Sequence, residues 1–309
     1  MGSGYALPAR PTQSPRLCSL GANLYQPRAM SPEASPPQTL AQLRAEIDAV
    51  DERLHALLIE RAAIIERVAE NGGKSGPKIR PGREAAMVRH RLASHTGTLP
   101  PQAILRIWRE LFAAALIIEG GQTIAVCAAD DASDIVALAR EHFGPLTPLR
   151  RHRNCAQALA DLDTGTAQVA VMPAPSDEDD GRWWTALTAR GERQLSVIAK
   201  LPFWTARAEG TPFGTAYAVA AIRPDPSGQD NSLIVFATPE ETSRSRLLAN
   251  LTTAGFTPET IWTRATGAGR TLVLADVSGL IEDEDPRLAA IPGAEAPAIP
   301  IGGYAVPLS

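Results

Sequence analysis

Apolar residues recur at Leu40, Leu43, Ile47, Val50, Leu54, Leu57, Ile64 and Val68, in steps of three and four once the slot filled by Arg61 is counted. That spacing predicts one long amphipathic helix from Thr39 to about Glu70, with a seam like that of a coiled coil. Asn71-Gly72-Gly73 supplies the stop signal. A basic loop, KSGPKIRPGRE, follows, and Pro81 is placed as a first-turn proline of a second helix reaching about His95. Pro101 opens a third helix through Ile104, Ile107, Trp108, Leu111 and Ile118, ended by Gly120-Gly121. No alternating strand pattern interrupts this stretch.

The period changes at Gln122. TIAVCA, AQVAVMPAP, LSVIAKL and AYAVAAI read as strands, with SDIVALAREHF and QALADL as helices between them, which predicts an α/β layer. Pro224-Asp-Pro-Ser-Gly marks a boundary. Beyond it, SLIVFA, EETSRSRLLANLTTAG, TIWTRA, TLVLADV, a short helix near Arg287–Ala290 and IGGYAV follow an order close to βαββαβ. The first 36 residues, rich in Pro, Ser, Gly and Ala, carry no periodicity and read as a disordered leader, with Met30 an alternative start. The expected divisions are therefore 1–36, 37–121, 122–226 and 227–309.

Composition narrows the functions. A net charge of −4 with 21% charged residues leaves no electrostatic footprint for nucleic acid or a membrane surface. No apolar run approaches the ~20 residues that span a bilayer. The five histidines are scattered without metal-ligand spacing, so neither metal nor cofactor is expected. Cys18, Cys127 and Cys155 are odd in number and far apart, which argues against a disulfide framework and for a reducing cytoplasm. Cys127 reads as a buried apolar residue in a strand. The acidic run Asp177–Asp180 reads as a solvated turn with Trp183 and Trp184 packed behind it.

One seam position of the first helix is filled by Arg61. A guanidinium there needs an anion: either an internal carboxylate, for which Glu60, Glu66 and Glu84 are available, or a ligand. Arg44 flanks the same stripe seventeen residues earlier, roughly 25 Å along a helix axis. One small molecule cannot span that distance on a straight helix, so a ligand touching both arginines needs a second copy of the helix.

LRAEIDAVDERLHALLIER, a lysine-bearing loop, RPGRE opening a helix, and a third helix ending AAALIIE together resemble the helical chorismate mutases over about residues 38–120. The resemblance implies an all-α three-helix domain that intertwines into a homodimer with shared active sites, and a substrate, chorismate, rearranged to prephenate. The reaction is pericyclic and requires no nucleophile, metal or general base; what helps is holding the reactive conformer and stabilising charge on the ether oxygen. The resemblance assigns the substrate carboxylates to Arg61 and to Arg44 of the second copy, as bidentate forks suit. It assigns the substrate hydroxyl to Glu84 with Arg83 nearby, and a first-turn carboxylate also suits the helix dipole.

Two features, at three positions, depart from the family pattern. The ether-oxygen lysine falls in register on Gly72, so Lys74 is the preferred candidate and Lys78 the next. The small hydroxyl residue and glutamine of the third helix are Ala115 and Glu119, and a glutamate there must be protonated to donate. Residues 122–221 resemble one lobe of prephenate dehydratase. Its Thr-Arg-Phe signature is represented at most by Asn231-Ser232-Leu233, so no dehydratase activity is expected. Residues 230–308 resemble an ACT-type α+β module whose ligand signatures are altered to RSRLL and WTRA. Isochorismate pyruvate lyase and a catalytically inactive interaction subunit are the alternative functions for the helical domain.

Overall fold

The computed structural model describes residues 38–71, 78–129, 133–176, 179–189, 193–207, 209–267 and 269–309. Lys74, Gly72 and the leader lie outside them. The helical segment comprises α1 (Leu40–Asn71), α2 (Pro81–Ala93) and α3 (Pro101–Ile118). A mixed α/β sheet region follows, with strands β1 (Ile124–Cys127), β2 (Leu149–His152), β3 (Val169–Pro173), β4 (Ser196–Leu201), β5 (Ala216–Ala220), β6 (Asp230–Pro239), β7 (Pro258–Ala265), β8 (Arg270–Ser278) and β9 (Ile299–Ala305). Helices α4 (Asp134–Phe143), α5 (Cys155–Asp163) and α6 (Arg244–Thr253) pack on the sheet.

The chain divides after His55 into two compact units, and the described residues of the first are 38–55, which include the start of α1. Its seam residues Leu43, Ile47 and Leu54 are 42%, 59% and 54% exposed. In the second unit Leu57, Ile64 and Val68 of α1 are likewise exposed, and no residue of the helix is buried. The apolar stripe of this 32-residue helix is thus open to water in this chain.

Helices α2 and α3 differ in this respect. Ala85, Val88, Leu105 and Phe112 form a buried cluster with Phe203 and Ala305 of the sheet region. The first turn of α2 is capped from afar: the Asp225 carboxylate accepts from the amides of Gly82 (3.0 Å) and Arg83 (3.2 Å) and from Arg80 Nε (3.2 Å). These are amides the helix itself cannot satisfy. A Cβ on Gly82 would lie 2.0 Å from the Asp225 carbonyl oxygen, which is why glycine follows the first-turn proline. Nearly two turns further, Arg89 donates to Ser227 Oγ (2.8 Å) and to the carbonyls of Ser227, Gln229 and Val306. The Pro224–Gly228 stretch, read from sequence as a boundary, is therefore where α2 is fastened.

The nine strands form one sheet in the order β2-β1-β3-β5-β4-β9-β6-β8-β7. The β1 strand is parallel to β2 and β3, and the remaining pairs are antiparallel except β4 with β9, which meet in parallel at Val197 and Gly302. Gly302 has φ 128°, and a Cβ there would sit 2.2 Å from the Val197 carbonyl oxygen, so glycine is required where the two parts of the sheet join. Trp184 and Leu162 belong to the core on one face of the sheet, Leu138 and Phe143 to that on the other, and Leu247 and Phe256 to a third under β6 to β8.

Several expectations are corrected. The β2 strand, LRRH, shows no apolar alternation because it is a half-exposed edge strand. The α2 helix stops at Ala93, where Ser94 takes the cap position. In α3 the buried residues are Leu105, Arg109, Phe112 and Ala113, whereas Ile107 is 51% exposed. The stripe visible in the sequence is thus not the face buried in this chain. Cys127 is buried, as expected, but it forms a disulfide with Cys155 at the start of α5, which spacing alone did not indicate. Trp183 and Trp184 are buried, with Trp183 Nε1 donating to the Pro173 carbonyl at 2.9 Å. Among the described residues no helix is long and apolar enough to cross a membrane, and no cluster of side chains has metal-ligand character.

If Arg89 fastens α2 as described, replacing it by alanine removes four hydrogen bonds, those to the Ser227 and Val306 carbonyls among them, and should cost roughly 3 kcal/mol. Urea unfolding measures this. A loss below about 0.5 kcal/mol, typical of a surface substitution, would show that these bonds do not hold the helix.

Candidate active site

Arg61 is half-buried on α1 and donates from Nη1 to the Leu111 carbonyl of α3 at 3.2 Å. No carboxylate among the described residues pairs with it, so the internal salt bridge to Glu60, Glu66 or Glu84 is not formed. Desolvation lowers its pKa from the usual arginine value. An arginine in an apolar seam, held by one carbonyl, keeps most of its donors for an anion. Arg44 is exposed in the first unit.

At the far end of α3, Lys78 Nζ donates to the Glu119 backbone carbonyl at 2.7 Å. Glu119 is the C-cap residue, half-buried, and the chain turns away through Gly120 and Gly121 at φ 118° and 77°. With Leu116, Gln122 and Gln168, these residues line a recess of about 90 Å³. Of the two candidate lysines, only Lys78 lies within the described residues, and it stands beside Glu119.

Glu84 is placed elsewhere. Its Oε2 accepts from Arg109 Nη1 of α3 at 3.0 Å, with the two side chains only 14% and 7% exposed. Arg109 also contacts His142 Nε2 at 3.4 Å and lies 5.2 Å from the centre of the Phe203 ring. Since the guanidinium can only donate, that imidazole nitrogen is the acceptor and His142 is neutral; burial and Arg109 hold its pKa well below the usual histidine value. Burial pushes the Glu84 carboxyl up to about 7; Arg109 opposes the rise and Asp225 adds to it. Arg83, next to Glu84, is exposed.

The structure thus brings Lys78 and Glu119 together, sets Arg61 against α3, and joins Glu84 to Arg109. Sequence reasoning missed Arg109. Its signal was the i, i+4 relation to Leu105 and Ala113, which puts it on the buried face of α3.

The dehydratase-like motif position is closed. Asn231 is 2% exposed, and its amide nitrogen donates to Asp276 Oδ1 (3.2 Å) and Tyr304 Oη (3.4 Å). Lys200 Nζ reaches Tyr304 Oη at 3.3 Å and lies 3.6 Å from Asp276 Oδ2. These groups satisfy one another inside the sheet and leave Asn231 committed.

Residues 43–120 match the family model described as chorismate mutase type II. The chain is 27% identical over 146 residues to the bifunctional chorismate mutase/prephenate dehydratase of Stutzerimonas stutzeri, covering 45% of this chain and 40% of that one. It is 29% identical over 171 residues to the protein of the same description from Neisseria gonorrhoeae, covering 52% and 47%. The chain spans less than half the length of these curated relatives. A prephenate dehydratase from Arthrobacter aurescens, solved with L-Phe, aligns with a TM-score of 0.43 at 16% identity, covering 59% of this chain and 90% of that one. Residues 43–120 are a chorismate mutase type II domain, and a region resembling prephenate dehydratase follows it.

The Glu84–Arg109 pair predicts a pH dependence of stability. A carboxyl whose folded pKa lies above its unfolded value favours the native state when protonated. Its contribution is complete below 4.5 and is lost as the pH rises toward 7. The loss is bounded at about 3 kcal/mol, and neutral His142 contributes in the opposite sense below its own unfolded pKa. Comparing urea midpoints of wild type and Glu84→Gln from pH 4 to 8 isolates Glu84, whose downward slope should vanish in the variant. Parallel profiles would contradict the assignment.

Proposed function

We propose that this chain rearranges chorismate to prephenate as a homodimer whose active sites are shared between copies, with residues 37–121 as the catalytic division. The observation that carries the reading is Arg61: within a chorismate mutase type II domain, it occupies a seam position and has a carbonyl but no carboxylate partner among the described residues. A half-buried cation in that state supplies a site for a substrate carboxylate. The second carboxylate falls to Arg44 of the other copy, because the roughly 25 Å between the two positions on α1 exceeds the reach of one substrate.

The remaining roles follow from the chemistry. Lys74, or Lys78 in its place, stabilises charge developing on the ether oxygen, with Glu119 beside it. The free Oε1 of Glu84 accepts the substrate hydroxyl while Arg109 holds Oε2, and Arg83 adds positive potential at the same helix start. No group needs to form a bond to the substrate, so positioning and electrostatics account for the rate. The divisions 122–226 and 227–309 are read as a dehydratase-like lobe without dehydration chemistry and an ACT-like module; the burial of Asn231 supports the first. A cytoplasmic placement rests on composition alone, and one observation opposes it. The Cys127–Cys155 bond is not one that a reducing compartment ordinarily maintains.

The test is to incubate the purified full-length protein separately with chorismate and with isochorismate, following prephenate, phenylpyruvate and salicylate. Prephenate alone is expected. Arg61→Ala should lower kcat/KM by at least about a hundredfold with unfolding behaviour unchanged. Salicylate from isochorismate would identify a lyase instead, phenylpyruvate would restore the dehydratase, and inertness toward both substrates would leave a binding subunit.

A further inference from the structure

A cavity of about 480 Å³ lies between α3, the end of α4 and the segment following β4, away from every residue assigned above. Its apolar wall is Leu105 and Trp204, flanked by Pro145 and Pro212. Its polar lining includes Arg106, Glu110, Arg140, Glu141 and Arg207. The volume is within the range of small-molecule sites, and an apolar wall with a few converging charges is their usual make-up.

The charges are unequally committed. Arg207 is forked onto Glu141, with Nη1 to Oε1 at 2.9 Å and Nη2 to Oε2 at 2.5 Å, so this pair is internally neutral. Arg140 Nη1 donates to the carbonyls of Pro145 (2.6 Å) and Thr147 (3.1 Å), which fixes the guanidinium without compensating its charge. Arg106 is exposed and has no carboxylate partner among the described residues. Against these two free charges stands Glu110, equally without an ion pair among the described residues. The cavity therefore carries one net positive charge beside the aromatic ring of Trp204.

We infer that this cavity binds a small monocarboxylate carrying an aromatic ring, with the carboxylate toward Arg106 and Arg140 and the ring against Trp204 and Leu105. A single negative charge matches the net charge of the lining. A guanidinium pairs with a carboxylate through parallel hydrogen bonds, and a flat ring uses the indole face by offset stacking. A bare inorganic anion would leave the apolar wall unused. The inference is independent of the mutase reading, since no residue proposed for that reaction lines the cavity.

Isothermal titration calorimetry of the full-length protein with phenylacetate, phenylacetamide and inorganic phosphate tests it. Phenylacetate should bind saturably at one site per chain, and the neutral amide about tenfold or more weaker, as expected for loss of a charge-assisted pair. Arg106→Ala should weaken phenylacetate by about tenfold, and Arg106→Lys should recover part of that loss, because a point charge replaces the fork. Arg106 is exposed, so these variants leave the core intact. Absence of saturable binding up to roughly 10 mM would overturn the inference. So would equal affinity for the amide, unchanged affinity in Arg106→Ala, or phosphate binding as tightly as phenylacetate.

Discussion

The attachment of α2 to residues 225–229 and 306 is the constraint on which the rest of the second unit depends. Asp225 closes the N-terminal amides of the helix, and Arg89 ties its middle to three backbone carbonyls and a serine hydroxyl. With both ends of that arrangement fixed, the α2–α3 pair must bury Ala85, Val88 and Phe112 against Phe203 and Ala305. Glu84 and Arg109 are enclosed as a consequence. Two ionisable groups taken from water at the same place are tolerable only as a pair, and the raised Glu84 pKa measures how incompletely Arg109 offsets the burial.

The same packing explains why α3 is apolar on more than one side. One stripe faces the sheet region, while Ile107 and Ile117 stay 51% and 48% exposed. The α1 helix carries the same unspent apolar surface, from Leu40 to Val68. Surface of this extent on two helices is what a helical interface between copies would cover. It is also the surface on which Arg44 and Arg61 stand, so assembly and catalysis share one physical cause in the proposed dimer.

What could be read from the sequence was local. The seam of α1, the arginine in it, the proline starts of α2 and α3 and the Gly120-Gly121 stop depend on residues a few positions apart. Most strands and helices after Gln122 announced themselves through period and length. What escaped were relations across long separations. The Asp225 cap lies 143 positions from Gly82, and the Cys127–Cys155 bond spans 28 residues. The β2 strand escaped because an edge strand needs no apolar alternation. Of the candidate site, Arg61 was legible because it broke a pattern, whereas Arg109 was hidden by a stronger neighbouring stripe.

In the proposed dimer, one active site draws Arg44 and Arg61 from different copies. Inactive Arg44→Ala and Arg61→Ala proteins, unfolded together and refolded as a mixture, test this directly. A shared site predicts that mixed dimers regain up to about a quarter of wild-type chorismate mutase activity, from the one hybrid site in two that receives both arginines in the half of dimers that are mixed. If subunit exchange is verified and the mixture is as inactive as either parent, both arginines act within one copy, and the shared site is wrong.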